Sequence, residues 1–179
     1  EGAVSIPADL LITIKQTNNP PVAVSDGPIL TKPDSPVSGN VITGSGGGKA
    51  DLDPDQDRLT VTQFQVDTNG DGKMETIVVL PGGEGVAVLF NAANQSIGSL
   101  TMKSDGFFIF SPAFAYEGPV PIVTYTVSDG IALSFANLYF SPVDAENSPT
   151  VNDENIGPLI ILSNPTPPLF PENQVNHYS

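Results

Sequence analysis

Asp51, Asp53, Asp55 and Asp57 stand on alternate positions of the run Asp51-Leu52-Asp53-Pro54-Asp55-Gln56-Asp57-Arg58. In an extended chain alternate side chains share a face, so four carboxylates there repel one another unless a cation neutralises them. Calcium takes about six to eight oxygen ligands, and an Asp-rich turn supplies several at once. Pro54 makes the segment a stiff turn rather than part of a helix. The plainer alternative is a solvated acidic loop. A second run, Asp67-Thr68-Asn69-Gly70-Asp71-Gly72-Lys73-Met74-Glu75, matches most of a calcium-loop template. Counted from Asp67, oxygen-bearing side chains fall at the first, third, fifth and ninth places as Asp67, Asn69, Asp71 and Glu75. Gly72 allows the tight turn, and Lys73 offers its carbonyl. The twelfth place is Val78, so the usual bidentate Glu is missing and Glu75 would close a shorter loop between two strands. A β-hairpin turn through Asn69-Gly70 or Asp71-Gly72 suits the same residues, and hairpin and cation site are compatible.

The remaining acids are scattered. Asp26, Asp105, Glu117 and Asp129 each lie beside Gly or at a strand end. Singly they read as turn residues; together they read as loop ligands converging on one pole of a sandwich. Covalent and acid–base chemistry is poorly served. The chain has no Cys, which excludes thiolate metal sites, cysteine catalysis and disulfides. The only His, His177, sits in a polar tail, where it builds neither a zinc centre nor a Ser-His-Asp relay. Paired carboxylates suit glycoside chemistry in principle, but there is no Trp to stack on a sugar. Tyr116, Tyr139 and Phe140 are the aromatic side chains left for an exposed binding platform. The expectation is a protein that is not an enzyme and takes Ca2+ as its cofactor.

The elements that must hold these carboxylates are short. Gly contributes 17 residues and Pro 18 in a chain of 179, so turns cut it into pieces and long helices have little room. Apolar residues make up 39%, enough for a core. Strand candidates run over 22–24, 37–42, 59–66, 76–80, 86–90, 99–103, 106–111, 120–128 and 132–141, with a further one at 10–14. Ile122-Val123-Thr124-Tyr125-Thr126-Val127 alternates cleanly, as a half-buried strand does. Leu59 to Val66 alternates too, with a slip of phase near Gln63 that suits a bulge. Phe110 and Tyr125 read as core. Frequent short strands of this kind predict an all-β fold, a β-sandwich. The Gly44 to Gly48 run reads as a flexible loop without the Lys-Ser or Lys-Thr of a phosphate-binding loop.

Acidic residues number 20 against six Lys and Arg, a formal charge of -14. Nucleic acid and anionic membrane are therefore repelled, while divalent cations are attracted. No apolar run approaches the roughly 20 residues of a membrane helix, so no membrane insertion is expected. The chain begins at Glu1 rather than Met, which reads as a processed or excised piece.

Four signatures occur in order. They are Asn19-Pro20-Pro21-Val22-Ala23-Val24-Ser25-Asp26; Ser38-Gly39-Asn40-Val41 with the Asp51 to Asp57 run; Gly98-Ser99-Leu100-Thr101 with Ser104 to Pro112; and Tyr116-Glu117-Gly118 with Val123 to Gly130. Together they resemble the bacterial cadherin-like or immunoglobulin-like tandem repeats of large secreted, calcium-dependent adhesins and related surface proteins. The resemblance implies an extracellular β-sandwich over 19–149 with calcium at its chain-entry and chain-exit poles. It places Asp26, Asp53, Asp57, Glu117 and Asp129 at the family's recurrent acidic positions. The Gly44 to Ala50 segment and the Asp67 to Glu75 loop depart from the family pattern as insertions. Residues 1–18 then form an N-terminal strand arm, either the end of a preceding module or a donor strand, and 150–179 a Pro-rich extension with one further strand. The implied function is a structural module of a surface adhesin, rigidified by calcium. Its partners would be adjacent modules or copies of itself, with a cell-surface or matrix receptor. The alternative is a pilus-like filament subunit on the cell surface, joined by donation of the N-terminal strand to its neighbour.

Overall fold

In Val123-Thr124-Tyr125-Thr126-Val127-Ser128 the apolar residues fall on every second position, and Val123, Tyr125 and Val127 are fully buried. That alternation recurs along the chain and sets the architecture of a computed structural model that describes residues 1–2 and 17–145. The strands among the described residues are β1 (Asp26–Ile29), β2 (Val37–Asn40), β3 (Thr60–Val66), β4 (Glu75–Val78), β5 (Glu84–Phe90), β6 (Ser96–Lys103), β7 (Phe107–Pro112), β8 (Val123–Ser128) and β9 (Leu133–Phe140). They form a five-stranded sheet in the order β1-β9-β8-β3-β4 and a four-stranded sheet in the order β2-β7-β6-β5. Every pairing is antiparallel except β1 with β9. The result is an all-β, immunoglobulin-like two-sheet sandwich.

The inner faces supply one core. Phe64, Tyr125 and Leu138 from the first sheet are fully buried, as are Leu89, Leu100 and Phe110 from the second. Phe140 packs against Phe108 edge-on and against Phe110 at a ring separation of 4.9 Å. The phase slip near Gln63 is a register irregularity between Val61 and Gln63 where β3 pairs with β8. It lets Val61 and Phe64 both point inward.

Two expectations are corrected. The first strand lies at Asp26–Ile29 rather than 22–24, where Val22 makes only an isolated bridge to Leu52. Gly27 and Pro28 disguise it in the sequence. Pro is tolerated there because β1 is an edge strand, where a missing N–H leaves no ladder bond unmade. Tyr116 and Phe140 are buried rather than exposed. The Tyr116 hydroxyl meets its obligation by donating to the Pro119 carbonyl at 2.8 Å.

The chain divides into a unit Glu1–Ser148 and a unit Pro149–Ser179. The strand expected at 10–14, residues 3–16 of the N-terminal arm, the Pro-rich extension 150–179 with its further strand, and His177 lie outside the described residues. No described segment is a helix long and apolar enough to cross a membrane.

Candidate functional site

The strand registers sort the acidic residues into three places. Thr60 pairs with Ser128 while Gln65 pairs with Thr124, so the segment before β3 and the turn after β8 share one end of the sandwich. The β3–β4 loop lies at the other. Asp53, Asp55, Asp57 and Asp129 therefore occupy the chain-entry pole. Asp67, Asn69, Asp71, Lys73 and Glu75 occupy the opposite pole, and Glu117 stands at that end too, beside the Gly118–Val143 bridge. Asp26 and Asp51 are neither; they sit inside the domain next to Tyr125.

At the entry pole the alternation of acids does not produce one extended face. Pro54 and Gln56, the latter at φ 64°, fold Asp53 to Asp57 into a turn, with Gln56 N–H donating to the Asp53 carbonyl at 3.1 Å. Asp53 Oδ1 holds that turn by accepting the amides of Asp55 at 2.9 Å and Asp57 at 3.0 Å. Asp55 in turn accepts the Asn19 amide at 2.6 Å and the Asn19 side chain at 3.0 Å, tying the entering chain to the acidic turn. The outcome is that one oxygen from each of Asp53, Asp55 and Asp57 lies within 4.8 Å of the others. A cleft of about 260 Å³ opens beside them, lined by Asn18, Asp55, Asp57 and Ile131. Asn18 donates across it to Asp129 at 2.9 Å. The Ala132 amide, then Asn18, then the Ile131 amide hold the Asp129 carboxyl below its ordinary value, so it stays charged at the rim.

Behind the turn lies an arrangement that the sequence did not announce. Tyr125 Oη sits 2.8 Å from the Val24 carbonyl, 3.2 Å from Asp26 Oδ2 and 3.2 Å from Asp51 Oδ1. A hydroxyl has one proton, so three acceptors compete for it. Asp26 Oδ1 also takes the Lys49 amide at 3.1 Å, and Asp51 Oδ1 takes the Val24 amide at 2.7 Å. Burial pushes both carboxyls up to about 6, partly offset by those hydrogen bonds, and for Asp51 the nearby Asp26 charge adds to the rise. Burial, then the two carboxylates, keep the Tyr125 hydroxyl protonated far beyond the usual phenol range. Asp51 Oδ2 and Asp53 Oδ2 are buried and without a hydrogen-bond partner. An orphaned, buried oxygen on Asp53, within a gathered triad of carboxylates, is what a hard cation satisfies, so Asp53, Asp55 and Asp57 fit calcium.

The Gly44 to Gly48 run acquires a purpose here. A Cβ on Gly48 would overlap the Asp26 carboxylate. Only Gly brings the backbone close enough for the Lys49 amide to reach Asp26. Gly48→Ala should cost about 1–3 kcal/mol in a denaturant melt, as overpacking of a rigid site does; an unchanged midpoint would show that Asp26 moves freely.

At the opposite pole the predicted hairpin is present, since β3 pairs antiparallel with β4 and Val66 faces Glu75. Its side chains are engaged with the loop backbone. Asp67 accepts amides from Asn69 at 3.2 Å, Gly70 at 2.7 Å and Gly72 at 2.8 Å. Slight desolvation pushes the Asp67 carboxyl upward, but these amides outweigh it and hold it low. Asn69 accepts the Asp71 amide and Asp71 the Lys73 amide, each at 2.9 Å. Lys73 Nζ lies 3.7 Å from Asp71. Glu75 is held low by the Thr68 amide and hydroxyl, both at 2.8 Å. Asp67, Asp71 and Glu75 do not gather as Asp53, Asp55 and Asp57 do, which form the one such triad among the described residues.

No protein-family model, curated protein or solved structure matches this chain. The reading of the site rests on its geometry. What the sequence missed was the hub at Tyr125, although a signal existed. A Tyr on the buried phase of a Val-rich strand carries a hydroxyl that must find a partner, and buried acids are such partners.

Proposed function

We infer that this domain is a non-enzymatic, extracellular structural module of a bacterial surface adhesin, stiffened by calcium at its chain-entry pole. The carrying observation is the gathered oxygens of Asp53, Asp55 and Asp57 together with the orphaned, buried Oδ2 atom of Asp53. Calcium would be held by Asp53, Asp55 and Asp57, with Asp129 tied across the adjoining cleft by Asn18. When bound, the ion supplies positive charge that cancels carboxylate repulsion. The chain's own residues do the rest: Asp53 shapes the turn, and Asn18 and Asn19 clip the entering chain to it. A module fixed in this way at its entry would resist bending against whatever precedes it, which is the use of a spacer. The acidity of the chain, at -14, supports the same choice of cation partner. Asp67 to Glu75 is the second candidate loop, at the far pole.

Isothermal titration of the full chain with calcium chloride tests the assignment. Saturable binding should appear at neutral pH and disappear in the combined Asp53→Asn, Asp55→Asn, Asp57→Asn variant. Binding that survives in that variant and vanishes in Asp67→Asn, Asp71→Asn would move the site to the other pole. No saturable heat in the unaltered chain would overturn the calcium reading.

A further inference from the structure

The outer face of the five-stranded sheet carries two rows of side chains that run across four strands. One row is Asn137, Thr124, Gln65 and Thr76, and the next is Phe135, Thr126, Gln63 and Val78, as the registers β9–β8, β8–β3 and β3–β4 align them. In a chain of charge -14 neither row contains an ionisable group. The polar members of the first row are fixed. Thr124 donates to Asn137 at 2.9 Å, Asn137 donates to the Tyr139 hydroxyl at 3.0 Å, and Gln65 donates to Thr76 at 2.9 Å. Phe135 is 75% exposed and Val78 61%. A large ring held in water on a flat strand surface calls for an explanation, whereas a scattered exposed Val does not.

We propose that this face binds an uncharged, polyhydroxylated chain, a neutral glycan, with Phe135 as its stacking platform and the Asn137–Thr124–Gln65–Thr76 row as its hydrogen-bonding track. Sugar hydroxyls both donate and accept, and so do amides and hydroxyls, whereas ionic ligands would find no counter-charge here. The C–H face of a pyranose is apolar and matches the exposed ring. Because the polar side chains are already ordered by one another, little rotamer freedom is lost when a ligand arrives. A second copy of this chain suits the face less well. Docking two copies brings together two bodies of the same large negative charge and buries amides against amides. The sequence points instead to Tyr116, Tyr139 and Phe140 as the aromatic platform. Two of those are core, and the ring exposed on this face, Phe135, is two positions before Asn137.

Affinity electrophoresis of the full chain through gels containing a soluble β-glucan, a galactomannan or dextran, against polygalacturonate as the anionic control, tests this. At least one neutral polymer should retard the protein and polygalacturonate should not. Phe135→Ala and Gln65→Ala should each weaken the retardation at least tenfold, while Thr101→Ala on the other sheet leaves it unchanged. All three side chains lie outside the core, and melting curves confirm that the variants fold. Absence of retardation in every neutral gel, or retardation that Phe135→Ala leaves intact, would overturn the proposal. A concentration-dependent dimer in sedimentation that Phe135→Ala dissolves would also overturn it, by making the face an interface between copies.

Discussion

Removal of calcium with a chelator should lower the melting temperature of this protein by about 10 °C at neutral pH. The expectation follows from the entry pole. Three carboxylates with oxygens within 4.8 Å of one another repel, and solvent screens that repulsion only in part. The orphaned Asp53 oxygen adds the cost of a buried acceptor that nothing satisfies, about 1–3 kcal/mol. A cation that binds the folded state alone, at about a hundred times its dissociation constant, returns about 2.7 kcal/mol. For a domain of this size each kcal/mol moves the midpoint by about 3–5 °C. Calorimetry in calcium and in chelator measures the difference directly. Asp53→Asn should abolish most of it and should also raise the melting temperature in chelator, because it removes one of the repelling charges. Superimposable curves for the unaltered protein would leave the entry pole as a solvated acidic turn. Magnesium should substitute poorly, since it demands near-octahedral geometry and sheds its water reluctantly.

Much of this was legible in the residues. Alternation in Val123 to Ser128 and in Thr60 to Val66 fixes which side chains face the core, down to the irregularity at Gln63, because a half-buried strand has a period of two. The turn residues Asn69, Gly70, Asp71 and Gly72 announce the β3–β4 hairpin for the same local reason. Legibility fails where the partner is distant in sequence. Asp26 and Asp51 look like ordinary turn acids, and their meaning depends on Tyr125, 99 and 74 positions away along the chain. The alternation of Asp51 to Asp57 suggests one acidic face, yet Pro54 and the Asp53 cap turn the chain after Asp53, while the Val24 amide and the Tyr125 hydroxyl hold Asp51 inside. Among Asp26, Asp105, Glu117 and Asp129, reading one by one does not reveal that Glu117 stands at the pole opposite Asp129. Strand order decides that, and strand order is a property of the whole sheet.

The poles and the faces of this sandwich divide the chemistry between them. Described acids cluster in the loops at its two ends or sink beside Tyr125, while the outer rows of the five-stranded sheet are neutral. The other sheet repeats the pattern: Val86, Thr101, Ile109 and Ser38 align across its outer face, and its one charged row pairs Glu84 with Lys103. Acidic ends and uncharged outer rows leave the flanks of the sandwich for contacts of another kind than the poles make.

In chelator, stability should fall as pH rises from 5 to 7.5, against the usual expectation for an acidic protein. Asp26 and Asp51 ionise near 3.8 in the unfolded chain but at about 6 in the fold, because burial disfavours their charged forms. The folded state therefore keeps protons that the unfolded chain has released. The stabilisation this provides is fully present below about pH 3.8 and is lost as pH passes through about 6. At one pK unit to about 1.4 kcal/mol, and allowing for coupling of the two acids through one hydroxyl and for partial hydration, the loss is about 2–4 kcal/mol. Asp67, Glu75 and Asp129 act in the opposite sense. Their lowered values give stability that is present at neutral pH and disappears as pH falls through the acid range. Maximum stability without cation should consequently lie near pH 5. Asp51→Asn should flatten the descent between pH 5 and 7.5 and raise the neutral-pH melting temperature in chelator, since an amide neither ionises nor repels Asp26. Calcium should flatten it too if the ion neutralises Asp51 from the side of its orphaned oxygen. A melting temperature that stays level or climbs over that interval would mean that water reaches the Asp26–Tyr125–Asp51 hub and hydrates both charges.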